Sequence, residues 1–343
     1  MTRCLQLAQK GIGLARPNPS VGCVVVYENK IIGEGYTSSY GGAHAEVNAI
    51  ASVKDKTLLK NSILYVTLEP CSHFGKTPPC ADLIVKHKIP KVVIGCVDTN
   101  SVVAGKGIER LEANGCDVKV GVMEDACWKQ HRRFFTVQNK KRPYIILKWA
   151  QSLDGFIAPL KKDKSRPVWI SNETSKQLVH KWRSEEHAIL VGTNTAISDN
   201  PKLDVRLWGG EAPVRIVLDQ NLRIPVLNSL FDGSQKTIVC TTVSQLSKVS
   251  DKNNLFYESI DFSKNVAFQL SELLQKHQIQ SVIVEGGNQL LQTFIDAGLW
   301  DEARVFFGDV SFGQGIKAPD FSFKENENID VKGTVLKLYS NPT

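Results

Sequence analysis

No stretch of the 343-residue chain approaches the ~18 consecutive apolar residues of a membrane helix, which excludes a helical integral membrane protein. Nor does an apolar segment follow Met1-Thr2-Arg3-Cys4, where apolar and polar residues alternate, so no secretory leader is expected. Cysteine is sparse: eight residues are too few for a disulfide scaffold in so long a chain, and a reducing compartment, the cytoplasm, is the expected setting. Charge of neither sign is bunched. The densest basic spots, Lys140-Lys141-Arg142 and Lys161-Lys162, are too short for a nucleic-acid-binding arm. Against 35 Asp and Glu stand 42 Lys and Arg, and the net +7 suits phosphate-bearing substrates without requiring them. Internal repeats and low-complexity tracts are absent. What is present is ordinary globular material, 42% hydrophobic and 22% charged, in a length that corresponds to about two domains.

The hydrophobic pattern alternates strand-like and helix-like stretches, the mark of α/β layers. Strands are expected at residues 21–27 and 30–36, joined by a Glu28-Asn29 turn as a hairpin, and at 63–67 and 91–96. A helix is expected over 43–53, and another opening at Pro78-Pro79 and ending near His87, ahead of Ile89-Pro90. The polar, basic stretch 138–143 ends in proline and reads as the linker between domains at 1–140 and 144–343. Beyond it, strands are expected at 144–149, 188–191, 214–218, 237–240, 281–284 and 303–307. Helices are expected at 172–183, 266–277 and 288–297.

The chemistry is most explicit at His44-Ala45-Glu46, followed by Pro70-Cys71 and Cys80. Two thiolates and an imidazole form a three-ligand zinc set that leaves the fourth tetrahedral position for water. Zinc lowers the pKa of such a water toward ~7. Glu46, left unligated, is then the proton carrier from water to a leaving amine, as in zinc deaminases with a His-x-Glu and Pro-Cys-x-x-Cys pattern. Residues two apart do not share a face of a regular helix, so His44 and Glu46 converge only at a helix mouth, for which Gly41-Gly42 supplies a permissive entry. Here eight residues, Ser72 to Pro79, stand between the cysteines instead of two. A closed structural zinc with His73 as fourth ligand, or plain core packing, would use the same side chains. Cys4, Cys23, Cys96, Cys116, Cys127 and Cys240 read as core.

The second half is less explicit. Val284-Glu285-Gly286-Gly287 follows an apolar strand and precedes a helical stretch, so its amides could approach a phosphate, or simply make a tight turn. No complete Gly-x-Gly-x-x-Gly follows a strand, which argues against an ordinary dinucleotide fold.

Arg16-Pro17-Asn18-Pro19-Ser20-Val21-Gly22-Cys23, His44-Ala45-Glu46-Val47, and the run from Thr67-Leu68-Glu69-Pro70-Cys71-Ser72-His73 to Lys76-Thr77-Pro78-Pro79-Cys80 closely resemble the bifunctional riboflavin-biosynthesis deaminase–reductase family. The resemblance continues through Asp98-Thr99-Asn100 and, in the second half, Leu147-Lys148, Ser152-Leu153-Asp154-Gly155, Trp169-Ile170-Ser171, Gly192-Thr193-Asn194-Thr195, Asp199-Asn200-Pro201-Lys202-Leu203 and Arg206. It implies a cytidine-deaminase-like N-terminal domain that removes the 2-amino group of a diamino-ribosylaminopyrimidinone phosphate. It implies also a dihydrofolate-reductase-like C-terminal domain that uses NADPH to reduce the ribosyl group to ribityl.

By the same resemblance His44, Cys71 and Cys80 hold Zn2+, Glu46 moves the proton, and Asn18, His73, Lys76, Asp98 and Asn100 contact the deaminase substrate. A lysine at 76 is what a phosphate ester needs. Ala150, Trp169, Thr195, Asp199 and Gly287 fall on cofactor positions, and Arg183, Leu203, Arg206 and Glu285 on substrate positions of the reductase. Trp169 by itself would sooner serve core packing. The stretch 160–167 departs from the family's short loop before that tryptophan. The implied partners are small phosphorylated pyrimidines, not nucleic acid or membrane, and a homo-oligomer is left open. A nucleic-acid base deaminase shares the His-x-Glu and Pro-Cys chemistry, but the chain lacks interleaved basic and aromatic residues, and the second domain would have no role.

Overall fold

In the computed structural model, which describes residues 1–74, 78–99, 104–160 and 170–342, contacts divide the chain into Met1–Arg142 and Pro143–Thr343. The first unit begins with α1 (Thr2–Gly11), followed by the hairpin β1 (Gly22–Tyr27) and β2 (Lys30–Tyr36). Glu28 and Asn29 both take positive φ, the left-handed pair that a two-residue hairpin turn demands. Next come α2 (Ala45–Ser52), β3 (Ile63–Leu68), α3 (Cys80–Lys86), β4 (Lys91–Cys96), α4 (Lys106–Ala113), β5 (Asp117–Lys119) and α5 (Glu124–Lys140).

The sheet order is β2-β1-β3-β4-β5. β1 is antiparallel to both neighbours, whereas β3, β4 and β5 run parallel. The apolar runs of β1, β3 and β4 are buried because helices cover both faces. Gly35 lets α2 lie directly on β2: a Cβ there would fall 2.3 Å from the Ala49 nitrogen and 2.5 Å from the Ala45 oxygen. That close approach sets the height of the α2 N-terminus above the sheet.

Two expectations need correction in this unit. Residues 138–140 are not linker but the last turn of α5, which ends at Lys141 in the left-handed conformation. Gln, Asn and Lys are adequate helix formers, and the buried Cys127, His131, Phe135 and Thr136 hold the helix down. The helix expected to open at Pro78-Pro79 begins at Cys80, with Pro79 as its extended N-cap (ψ 135°). Each residue before a proline avoids the helical region, so Pro78 cannot start the turn.

The second unit holds β6 (Tyr144–Gln151), β7 (Phe156–Pro159), α6 (Glu173–Glu185), β8 (Ala188–Gly192), α7 (Thr193–Asp199), β9 (Val214–Leu218), β10 (Thr237–Thr241), α8 (Val243–Leu246) and β11 (Leu255–Ser259). It continues with α9 (Val266–Lys276), β12 (Ser281–Glu285), α10 (Asn288–Asp296), β13 (Glu302–Phe307), β14 (Gly315–Lys317), β15 (Glu327–Val331) and β16 (Thr334–Ser340). Nine strands form one sheet, β11-β10-β9-β8-β12-β6-β13-β16-β15. All pairs are parallel except those made by β16, a hairpin with β15 that closes the edge. The central strands β6, β8 and β12 carry the apolar runs 145–147, 189–191 and 282–284 because apolar clusters lie on both faces. β7 and β14 pair separately. Among the described residues no helix is long and apolar enough to cross a membrane.

Candidate functional site

In the first unit the site lies at the carboxyl ends of the parallel strands β3 and β4, where loops from neighbouring strands open a crevice. His44 is the N-cap of α2 and is extended (φ −72°, ψ 164°); Glu46 is two residues on, inside the first turn. The mouth of the helix thus brings together two side chains that a regular helix would separate. Cys80 is the first residue of α3, and its free N–H donates to the Cys71 Sγ at 3.3 Å. The Nδ1 of His44 stands 3.5 Å from the Cys71 Sγ and 3.3 Å from the Cys80 Sγ. The three ligand atoms lie within 4.8 Å of one another.

This donor set fits zinc. The Cys71 thiol is held well below the ordinary thiol range, chiefly by its hydrogen bond with Cys80 and further by His44. Cys80 is raised in turn, first by its hydrogen bond with Cys71 and then by burial, and further by the negative charges of Glu46 and Cys71, which oppose a second thiolate. A cation between the two removes that opposition. Burial, and then the charge of Cys71, pushes Glu46 up to about 7. His73 is exposed and lies outside the cluster, which among the described residues offers three ligands. A cavity of 370 Å³ opens over these groups, lined also by Asn18, Tyr40, Glu69, His73, Asp98, Phe134 and Gln138. Lys76 and Asn100 lie outside the described residues.

In the second unit the neighbouring parallel strands β8 and β12 end at Gly192 and Glu285. A Cβ on Gly286 (φ +145°) would stand 3.2 Å from the Thr195 Oγ1, while one on Gly287, the N-cap of α10, would meet nothing within 4 Å. Bare backbone at two adjacent strand ends, with helices starting there, fits the phosphates of NADPH. Ala150 is half-buried on β6; Asp199 ends α7, exposed. Trp169 lies outside the described residues.

Beside this cradle the Arg183 guanidinium meets the Glu285 carboxylate at 3.1 Å, and the Lys148 Nζ lies 3.7 Å from the other carboxylate oxygen. These two cations hold Glu285 below the usual carboxylate range although burial, the largest influence, opposes them. The Nε of Arg183 is buried without a hydrogen-bond partner among the described residues, a donor left for a ligand. Leu203 is buried with φ +51°. Arg206 is exposed and paired with Asp204. Burial lowers the pKa of His180, and the positive charges of Arg183 and Arg206 lower it further.

Residues 143–336 match the RibD C-terminal domain, and residues 1–96 match the cytidine and deoxycytidylate deaminase zinc-binding region. The riboflavin biosynthesis protein RibD of Aquifex aeolicus is 39% identical over 95% of this chain and 91% of its own length. The Escherichia coli protein of that name is 33% identical over 96% and 95%. Among solved structures, a diaminohydroxyphosphoribosylaminopyrimidine deaminase/5-amino-6-(5-phosphoribosylamino)uracil reductase from Thermotoga maritima superposes with a TM-score of 0.90, at 35% identity, covering 99% of this chain and 97% of that one. The chain belongs to the RibD family.

As a RibD-family protein it is a bifunctional deaminase and reductase of riboflavin biosynthesis, with a cytidine-deaminase-like and a dihydrofolate-reductase-like domain, and uses Zn2+ and NADPH. The base-deaminase alternative leaves the whole reductase domain unused and is not favoured. The six cysteines read as core are all buried. Glu69, Tyr40, Phe134 and Gln138 also line the cavity without a role assigned from sequence: Glu69 stands in the resemblance motif with no function, and Phe134 and Gln138 lie on α5, whose polar end resembles a linker. Lys148 likewise stands in a motif without an assigned site. An isolated lysine in an apolar strand was the available signal, since a buried cation demands a carboxylate.

Proposed function

We propose that residues 1–140 deaminate 2,5-diamino-6-(5-phosphoribosylamino)pyrimidin-4(3H)-one, and that residues 144–343 reduce the resulting 5-amino-6-(5-phosphoribosylamino)uracil. The observation that carries the first half is the cluster of His44, Cys71 and Cys80, with Glu46 buried beside it under the cavity. Zinc held by that set would supply a nucleophilic water at neutral pH. Glu46 would take a proton from the water that adds to C2 of the pyrimidine and give it to the 2-amino group, which departs as ammonia. Asn18, His73, Asp98 and Asn100 position the pyrimidine, and Lys76 meets its phosphate ester.

In the reductase half NADPH supplies the hydride. Ala150, Thr195, Asp199 and Gly287, with Trp169, seat the cofactor. Arg183 and Arg206 grip the substrate phosphate with planar forks, Leu203 packs against the substrate, and Glu285 accepts from it. The partners are small phosphorylated pyrimidines in the cytoplasm, and a homo-oligomer is compatible with both sites.

The test supplies the diaminopyrimidinone phosphate to the purified chain with and without NADPH, following ammonia and NADPH absorbance. Ammonia release without NADPH, and NADPH consumption only after ammonia release, is the expected pattern. NADPH consumption with no ammonia would overturn the order.

A further inference from the structure

Glu69 directly follows β3, two residues before Cys71, and is 4% exposed. A carboxylate so far from water needs its charge satisfied, yet among the described residues no basic side chain pairs with it. Backbone amides do so instead. Its Oε2 accepts from the N–H of Asp98 at 3.2 Å and of Gly105 at 3.0 Å; its Oε1 accepts from Gly107 at 2.8 Å and Ile108 at 3.3 Å. Gly107 permits this approach, because a Cβ there would fall 2.1 Å from the Pro70 oxygen and 3.0 Å from the Glu69 Oε1. Glu69 therefore grips the chain on both sides of residues 99–104, and one of the grips is on Asp98, which lines the cavity. No proton transfer or ligation described above uses it.

We propose that Glu69 is a positioning residue of the deaminase: by fixing the Asp98 backbone it aims the Asp98 side chain at the pyrimidine substrate. The proposal rests on the reading of Asp98 as a substrate contact. The chemistry requires a carboxylate. All four groups facing it are donors, and a glutamine has one acceptor oxygen, so its NH2 would confront one pair of N–H groups whichever way the amide turns.

The test uses the full zinc-loaded chain and the variants Glu69→Gln, Asp98→Ala and the double substitution. It measures zinc content, KM and kcat for ammonia release, and reduction of the deaminated substrate. Glu69→Gln should keep about one zinc per chain and its reductase activity. It should raise the deaminase KM by about tenfold or more, the weight of a lost charge-assisted hydrogen bond, with kcat in the same decade. Added to Asp98→Ala it should raise KM no further, because residues acting through one another are not additive. Glu69→Asp keeps both acceptor oxygens and should fall between wild type and Glu69→Gln; it carries the comparison if the glutamine variant does not fold. An unchanged KM in Glu69→Gln beside a raised KM in Asp98→Ala overturns the proposal alone. So does a fully additive double variant, or a loss of zinc. An unchanged KM in Asp98→Ala overturns the underlying reading of Asp98 and the proposal with it.

Discussion

Replacing Glu46 by glutamine separates the two chemistries most cleanly. The side chain keeps its size and its place in the first turn of α2, 4% exposed beside the His44, Cys71 and Cys80 cluster, but it can no longer take a proton. Glu46 is not in the ligand set, so zinc content should stay at about one per chain. Burial already drives Glu46 toward its neutral form, so a neutral isostere is no burden on the fold. The loss should therefore fall on the proton-transfer step. General acid–base catalysis contributes about 10²–10⁴-fold, equivalent to about 3–5 kcal/mol of barrier at ~1.36 kcal/mol per decade. The deaminase kcat should drop by that factor. Nothing in the second unit depends on this carboxylate, and reduction of the already deaminated substrate should keep its wild-type specificity constant. The assay is ammonia release and NADPH absorbance on the same preparation, with metal analysis alongside. A deaminase kcat within about threefold of wild type, well short of the range for a general base, would refute Glu46 as the proton carrier. Equal loss of both activities in folded protein would refute the division of labour.

Cys71→Ser or Cys80→Ser removes a thiolate from the three-ligand set and should deplete zinc by metal analysis; full occupancy in the double variant would end the assignment. Arg206→Lys keeps the charge and loses the planar fork, so kcat/KM for reduction should fall about tenfold with ammonia release intact; an unchanged value removes Arg206 from the phosphate site. His131, fully buried with its Nε2 at 3.1 Å from the Thr67 Oγ1, is pushed down to about 3 by burial. The unfolded chain binds its proton from about pH 6.5 downward and the folded chain does not, so stability falls by about 1.4 kcal/mol per pH unit between those values. His131→Gln should flatten denaturant-measured stability across pH 6.5–4, and a slope equal to wild type would refute the assignment.

How far the site could be read from the chain depends on how local its chemistry is. A metal restricts its ligands to a few residue types, and a general base must stand beside them, so His44, Glu46, Cys71 and Cys80 announced themselves before any fold was known. The hairpin was equally local: Glu28 and Asn29 only had to turn the chain. Glu69 is the opposite case. A glutamate before a proline carries no signal, because its meaning comes from amides at 98 and 105–108, which reach it only after β3 and β4 pair in parallel. Lys148 and Glu285 are likewise unremarkable apart. They acquire a partner when β6 and β12 align in register, Glu285 opposite Lys148, and Arg183 reaches in from α6. The 138–143 stretch misled for a related reason. Polar composition describes the exposed face of α5, while the contacts that make it a helix are the buried Cys127, His131 and Phe135. Local chemistry therefore singles out the His44, Glu46, Cys71 and Cys80 group on its own. The reductase positions, Arg183 and Glu285 among them, come only from the family resemblance, because their side chains are ordinary until strands from different parts of the chain are laid side by side.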